Sequence, residues 1–502
     1  MVSGQKKKVD WKVFIPPIFL ILAFCVWIMV DPKGAGVALN KAYNLVTISL
    51  GWFFEWYAVV LFLLFIYFVF GPYSKKRLGD GDPEYKTTTW WGMMFTTNAG
   101  VGVLFWATME SFWTFQAGPF GSEPMSADAA RWAVAYPMYH WGPMSWGMYT
   151  VFGLAFAYMF WVKKINVARP SIACESLIGS KLANGWLGKV IDIFYMFGLI
   201  GGVATALGAN TPVVSELFSK VLNIPRTLTL DTVLLISWAV FIAAVVYTGL
   251  NKGIKALSNF RIVFSFVVIG IILVFGPTQF ILDTTTDSIG HLLQNFVRMS
   301  FNLDPHTPST FPQDWTIFYW AWYLTFLIPT GIYFARISKG RTVREFAIAT
   351  VAASTIGSWI FFGVFSSQML DTFNKGIVPI ADILTKSGAA KAAVEIWSTL
   401  PFSPVILVML TILAYISMAT LVNSSIYTIS MGSMKELKGE EEPPGWIRVF
   451  WALALGALIV AITSLNQFKA VQTLTVVGAL PMIPVTLMVL LSFMKTIKKD
   501  WK

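Results

Sequence analysis

Charge is what this sequence has least of. Asp, Glu, Lys and Arg make up 13% of its 502 residues, where a soluble domain carries roughly a quarter. Hydrophobic residues make up 56% and the mean hydropathy is +0.65. This balance excludes a water-soluble globule and indicates an integral membrane protein. Cysteine is nearly absent. Cys25 and Cys174 lie in or near apolar segments, so neither a disulfide framework nor a cysteine metal site is expected. The three histidines, His140, His291 and His306, are too scattered for a metal cluster. Acids and histidines do not gather in the apolar runs, and no cofactor fingerprint occurs. The expectation is therefore no enzyme, no metal and no cofactor. The net charge of +11 fits cytoplasmic loops obeying the positive-inside rule, not nucleic-acid binding.

A bilayer core takes about 20 apolar residues per helix. Twelve runs meet that need: 13–30, 46–71, 90–116, 140–162, 188–215, 230–249, 257–281, 314–335, 346–369, 403–430, 446–464 and 470–494. No small-residue cleavage site follows the first run, so no cleavable signal peptide is expected. An even count puts both ends on one side. On that side lie about 27 of the 37 Lys and Arg, including Lys6 to Lys8, Lys75 to Arg77, Arg341 and Lys495. Both termini are thus expected in the cytoplasm, with short tails at 1–12 and 495–502 around a single membrane domain. The opposite loops 117–139, 282–313 and 370–402 are long. They hold amphipathic stretches such as 287–301, expected as short helices at the outer interface.

Two runs carry helix-weakening residues at matching places. Span three contains NAGVGV (98–103) and span eight contains PTG (329–331). Glycine loosens a helix, and Pro329 removes a backbone donor. The two spans are five apart, which predicts two inverted five-helix repeats, spans 3–7 and 8–12, with spans three and eight discontinuous. Aromatics crowd these places. FYWAWY (318–323) precedes the second break, Trp106, Phe112 and Trp113 follow the first, and HWGPMSWGMY (140–149) opens span four. Ordinary packing and an interfacial belt each account for some of these rings. A cage for a quaternary ammonium ion accounts for them as well. Ring faces attract such a cation, which has no N–H to donate.

FYWAWY followed by ARISKGRTVREF (335–346), GPYSKKRLG (71–79), HWGP (140–143) and TLVN (420–423) resemble the betaine/choline/carnitine transporter family over residues 13–498. The resemblance implies a twelve-helix inverted-repeat carrier, a homotrimer in a bacterial or archaeal inner (plasma) membrane, and a quaternary ammonium substrate. EEPP (441–444) and the short tails are most similar to the carnitine/γ-butyrobetaine exchangers. Trp113, Trp141, Trp322 and Tyr323 match the family's cage positions, and Phe326 is expected to line the pocket. Arg261, in SNFRIVF, matches the arginine that replaces sodium in sodium-independent members. Ser417 followed by Met418 agrees, since methionine is a poor ligand for a hard cation. The exchangers have a Trp pair where this chain has Trp322 and Tyr323, and a Gln–Met pair where it has Pro329 and Thr330. Thr330 therefore leaves a sodium or proton role open.

Glu110, an intramembrane acid, is a functional candidate by default; it is expected to pair transiently with Arg261, to take a proton, or to make a fixed hydrogen bond. Trp106, Trp315, Tyr319 and Asp287 match an outer site of the exchangers. The expected activity is substrate/product exchange by alternating access. The alternatives are sodium- or proton-coupled uptake of betaine or choline on the same fold, and a channel or receptor.

Overall fold

Without water, a backbone in lipid must satisfy its own polar groups, and a helix does so within one segment. The computed structural model describes residues 9–96, 101–248, 251–435, 442–465 and 467–501, with the backbone alone at 101, 246–248 and 251–259. Among the described residues it is helical, without strands. The helices are α1 (Trp11–Val30), α2 (Pro32–Ser49), α3 (Gly51–Phe70), α4 (Thr87–Phe95), α5 (Val101–Ala117), α6 (Ala127–His140) and α7 (Pro143–Ala157). Three single turns come after them: α8 (Pro170–Ala173), α9 (Glu175–Ile178) and α10 (Ser180–Ala183). Next come α11 (Trp186–Leu222), α12 (Leu228–Thr248), α13 (Asn251–Phe275), α14 (Thr278–Met299), α15 (Ile317–Arg336) and α16 (Val343–Asn374). The chain closes with α17 (Ile380–Ser387), α18 (Ala389–Trp397), α19 (Ser403–Gly432), α20 (Gly445–Thr463) and α21 (Phe468–Asp500). One π-helical turn continues α7 (Tyr158–Val162) and another precedes α15 (Pro312–Thr316).

Nine helices among the described residues are long and apolar enough to span a bilayer: α1, α3, α11, α12, α15 with its π turn, α16, α19, α20 and α21. Phe260–Phe275 and Thr278–Met299 pass the same test only as a pair and bend by 108° where they meet, so the count is ten if the pair is taken as one broken span. The two remaining apolar runs, 90–116 and 140–162, are built from shorter pieces, α4 with α5 and α7 with its π turn. Segments 117–139, 282–313 and 370–402 do carry helices, α6, α14, α17 and α18, and α14 lies across α6 and α16.

The packing of ten helices beyond α3 is reciprocal. Take α5, α7, α11, α12 and α13 as one set of five and α15, α16, α19, α20 and α21 as the other. The first helix of each set packs on the second of the other, α5 on α16 and α15 on α7. The third packs on the other's fifth, α11 on α21 and α19 on α13. Like meets like at α11 with α19 and α12 with α20. This reciprocity is what two structurally equivalent units would give. Where α11 crosses α21, Gly198 and Gly201 face Gly478 and the Leu474 carbonyl, leaving no room for a side chain; small residues allow such close backbone approach in membranes.

One expected break is corrected. α15 runs unbroken through Pro329. Proline removes one backbone hydrogen bond, and a helix packed in a bundle tolerates that loss. Gly331 serves packing: a Cβ there would lie 2.9 Å from the Phe152 carbonyl carbon and 3.0 Å from the Gly153 nitrogen. In span three, Asn98 to Gly100 lie outside the described residues, and α5 begins at Val101.

The sequences GPYSKKRLG and SKGRTVREF bind each other. Leu78 N–H donates to Arg341 O, Gly340 N–H to Leu78 O, Val343 N–H to Lys76 O and Arg344 N–H to Ser74 O, at 2.8–2.9 Å. Arg341 reaches Tyr85 O at 2.6 Å and Thr87 Oγ1 at 3.0 Å, with its guanidinium 4.4 Å from the Trp90 ring centroid. Gly340 has φ +78°, and a Cβ there would lie 2.9 Å from the Asp82 backbone. Gly340→Val therefore costs about 1–3 kcal/mol in strain and overpacking, and melting in detergent will show a lowered Tm. Gly456→Ala is the control, because nothing lies within 4 Å of a Cβ at that position; its Tm should be unchanged or higher.

Candidate functional site

The aromatic residues of α5, α6, α7 and α15 form one buried cluster with two parts. The inner part joins Trp141, which caps α6, to Trp322 and Tyr323 on α15. Trp141 stands nearly perpendicular to both, with centroids 6.1 and 6.0 Å away at 86° and 84°. Trp322 and Tyr323 are nearly parallel, at 9°. The three rings thus make an open corner. Tyr149 of α7 adds an edge 5.8 Å from Tyr323. Trp322 Nε1–H donates to Gly202 O on α11 at 3.1 Å. Phe326 lies beside the same glycine, whose missing side chain leaves it room.

The outer part gathers Trp113, Trp315 and Phe468. Trp113 stacks on Trp315 at 4.8 Å and on Phe468 at 5.1 Å. Its link to the inner corner runs through Trp106, 6.4 Å from Trp113 and 5.4 Å from Trp322. Trp113 therefore groups with the outer rings, apart from the three other residues of the expected cage. Trp106, Trp315 and Tyr319 belong to the same cluster. Asp287 lines a different cavity of about 480 Å³ between α6, α14 and α16, with Arg131, Asp283 and Asn374.

Glu110 sits between the two parts and is fully buried. Its Oε1 lies 2.7 Å from His140 Nδ1, and its Oε2 accepts Trp141 Nε1–H at 3.2 Å and the Tyr319 hydroxyl. His140 Nε2 lies 3.0 Å from Thr316 Oγ1. Sequence reasoning missed His140 as a partner. A signal was present: Trp106, Glu110 and Trp113 share a helix face, so an acid on a ring-bearing face called for donors nearby.

Arg261, partly buried on α13, donates from Nη1 to Thr420 Oγ1 at 3.0 Å, and Thr420 donates in turn to Ser417 O at 2.9 Å. The buried Arg261 Nε and Ser417 Oγ have no hydrogen-bond partner, and no carboxylate pairs with Arg261 among the described residues. Arg261 and Glu110 thus occupy separate networks in this conformation. Met418 is buried beside Ser417, and Thr330 is half-buried next to Pro329. Pro329 borders a cavity of about 190 Å³ with Tyr195, Arg336 and Tyr427.

Long apolar helices, packed reciprocally around buried rings and a few isolated charges, define a multi-span membrane transporter. The model of the betaine/carnitine/choline family transporters matches residues 12–502, and the chain belongs to that family.

Removing the acceptor for Arg261 tests the second network. Thr420→Val strands a charged donor at a cost of about 1–3 kcal/mol and should lower the melting temperature in detergent. Thr420→Ser keeps the hydroxyl and should melt close to the parent protein.

Proposed function

We infer that this betaine/carnitine/choline family transporter is a sodium-independent exchanger of carnitine, γ-butyrobetaine or related betaines, working by alternating access. Arg261 carries the inference. A guanidinium held on α19 through Thr420, with no carboxylate on it among the described residues, supplies a fixed positive charge between the two sets of helices. A bound sodium ion would supply the same charge but could leave. With a charge that stays, a loaded carrier changes sides and no ion gradient is consumed.

The trimethylammonium group sits in the corner of Trp141, Trp322 and Tyr323. A cation within about 6 Å of each ring centroid is in cation–π range. Phe326 lines the pocket, and the rings around Trp113 and Trp315 form a waiting position on the outer side. The protein acts as a homotrimer with both termini in the cytoplasm. Coupled uptake is the second reading. It is favoured by Ser417 Oγ, a buried oxygen without a partner among the described residues, which is a hard ligand type suited to sodium; Thr330 carries a second hydroxyl of the same kind.

Proteoliposomes separate the two readings. Labelled carnitine, γ-butyrobetaine, glycine betaine and choline are offered with and without unlabelled compound inside, in sodium and in potassium buffer. Exchange predicts uptake that needs internal substrate and ignores sodium. Sodium-driven uptake into empty vesicles would favour the second reading. In the same assay Trp141→Ala and Trp322→Ala should each raise KM by about 10-fold, since one desolvated cation–π contact is worth up to about 2 kcal/mol.

A further inference from the structure

Glu110 lies where four elements meet: its own α5, the end of α6, the π turn Pro312–Thr316 and the start of α15. A buried carboxylate requires a counter-charge or a full set of donors. His140 is the only ion-pair partner of Glu110 among the described residues. Oε1 is used by His140, and Oε2 by Trp141 and Tyr319. The other imidazole nitrogen, Nε2, lies 3.0 Å from Thr316 Oγ1, so the ring is held at both nitrogens.

This network fixes directions. Trp141 N–H and Tyr319 O–H point at one oxygen, which sets the planes of both rings. His140 also stacks on Tyr319 with centroids 4.8 Å apart at 28°. Tyr319 in turn lies 5.8 Å from Trp141 and 5.7 Å from Tyr323. We propose that Glu110 and His140 are positioning residues that hold Trp141 in the aromatic corner and Tyr319 against it, so that the ring faces keep the angle at which they meet an ammonium ion. This rests on the quaternary ammonium reading of the proposed function.

The chemistry of glutamine makes the test. In Glu110→Gln the amide oxygen can accept from Trp141 and Tyr319 while the amide N–H donates to His140 Nδ1, so the bond pattern survives without the carboxylate. Glu110→Ala and His140→Leu destroy it. The full-length protein and the three variants are assayed in proteoliposomes and by quenching of tryptophan fluorescence with glycine betaine, choline, carnitine and γ-butyrobetaine. Detergent melting is measured in parallel. Expected is a KM and Kd raised about 10-fold or more in Glu110→Ala and His140→Leu, as for one lost desolvated ring contact, with Glu110→Gln restoring most of the affinity that Glu110→Ala loses. If Glu110→Gln binds as poorly as Glu110→Ala, the carboxylate charge itself meets the substrate and the proposal is wrong. If Glu110→Ala and His140→Leu lower only the maximal rate and leave KM unchanged, their role is structural and it is equally wrong. A parent protein that binds none of the four compounds overturns the functional reading and this inference together. A parent that binds them while the variants depart from the expected pattern overturns this inference alone.

Discussion

A carboxylate sealed among aromatic rings must find its donors within the protein, and meeting that demand at Glu110 fixes how the centre is assembled. The donors come from sequence positions far apart: His140 and Trp141 from the end of α6, and Tyr319 from the start of α15. Thr316 completes the set from a π-helical turn. Such a turn adds a residue to the helical circuit and re-aims the next turns of the helix. Here it sits directly ahead of the helix that carries most of the rings. The aromatic corner is thus a product of polar geometry. Ring stacking alone is permissive about angle, whereas hydrogen bonds to a single oxygen are not.

Close packing supplies the second constraint. Trp322 can reach the Gly202 carbonyl because α11 presents glycine to α15 at that level, and Gly331 brings α15 against the backbone of α7. Lipid offers little hydrophobic drive between helices, so close contact and internal hydrogen bonds carry the association. Among the described residues, Arg261 Nε and Ser417 Oγ are buried without a hydrogen-bond partner. Polar groups without partners are a feature of places that bind or move.

The sequence made the helical fold legible because the penalty for exposing polar backbone to lipid is written along the chain as apolar runs. The amphipathic stretch at 287–301 also announced a helix, and α14 covers most of it. Pairing across the bundle was not legible. Glu110 and His140 are 30 residues apart, and nothing in their local patterns links them. Trp113 was grouped with Trp141 by matching positions, yet a rotation about one helix decides whether it faces the inner corner or Trp315. Pro329 misled for a related reason: proline signals a lost donor, but neighbouring helices determine whether the helix breaks. GPYSKKRLG and SKGRTVREF stood out as characteristic stretches, and their contacts account for that structurally. They are two sides of one backbone clasp, with Gly340 and Arg341 at its centre.

The reciprocal pairing of α5 with α16 and of α15 with α7 has a thermodynamic consequence. When two sets of helices pack on each other by the same rules, exchanging their roles gives an arrangement of nearly equal energy facing the other way. A carrier built like this needs no separate design for its second conformation, because one set's present shape is the other's next one. What distinguishes the two directions is then only where the sets differ, as at Pro329 and Arg261. On the exchange reading proposed above, the concentrations on either side of the membrane decide which way such a molecule runs.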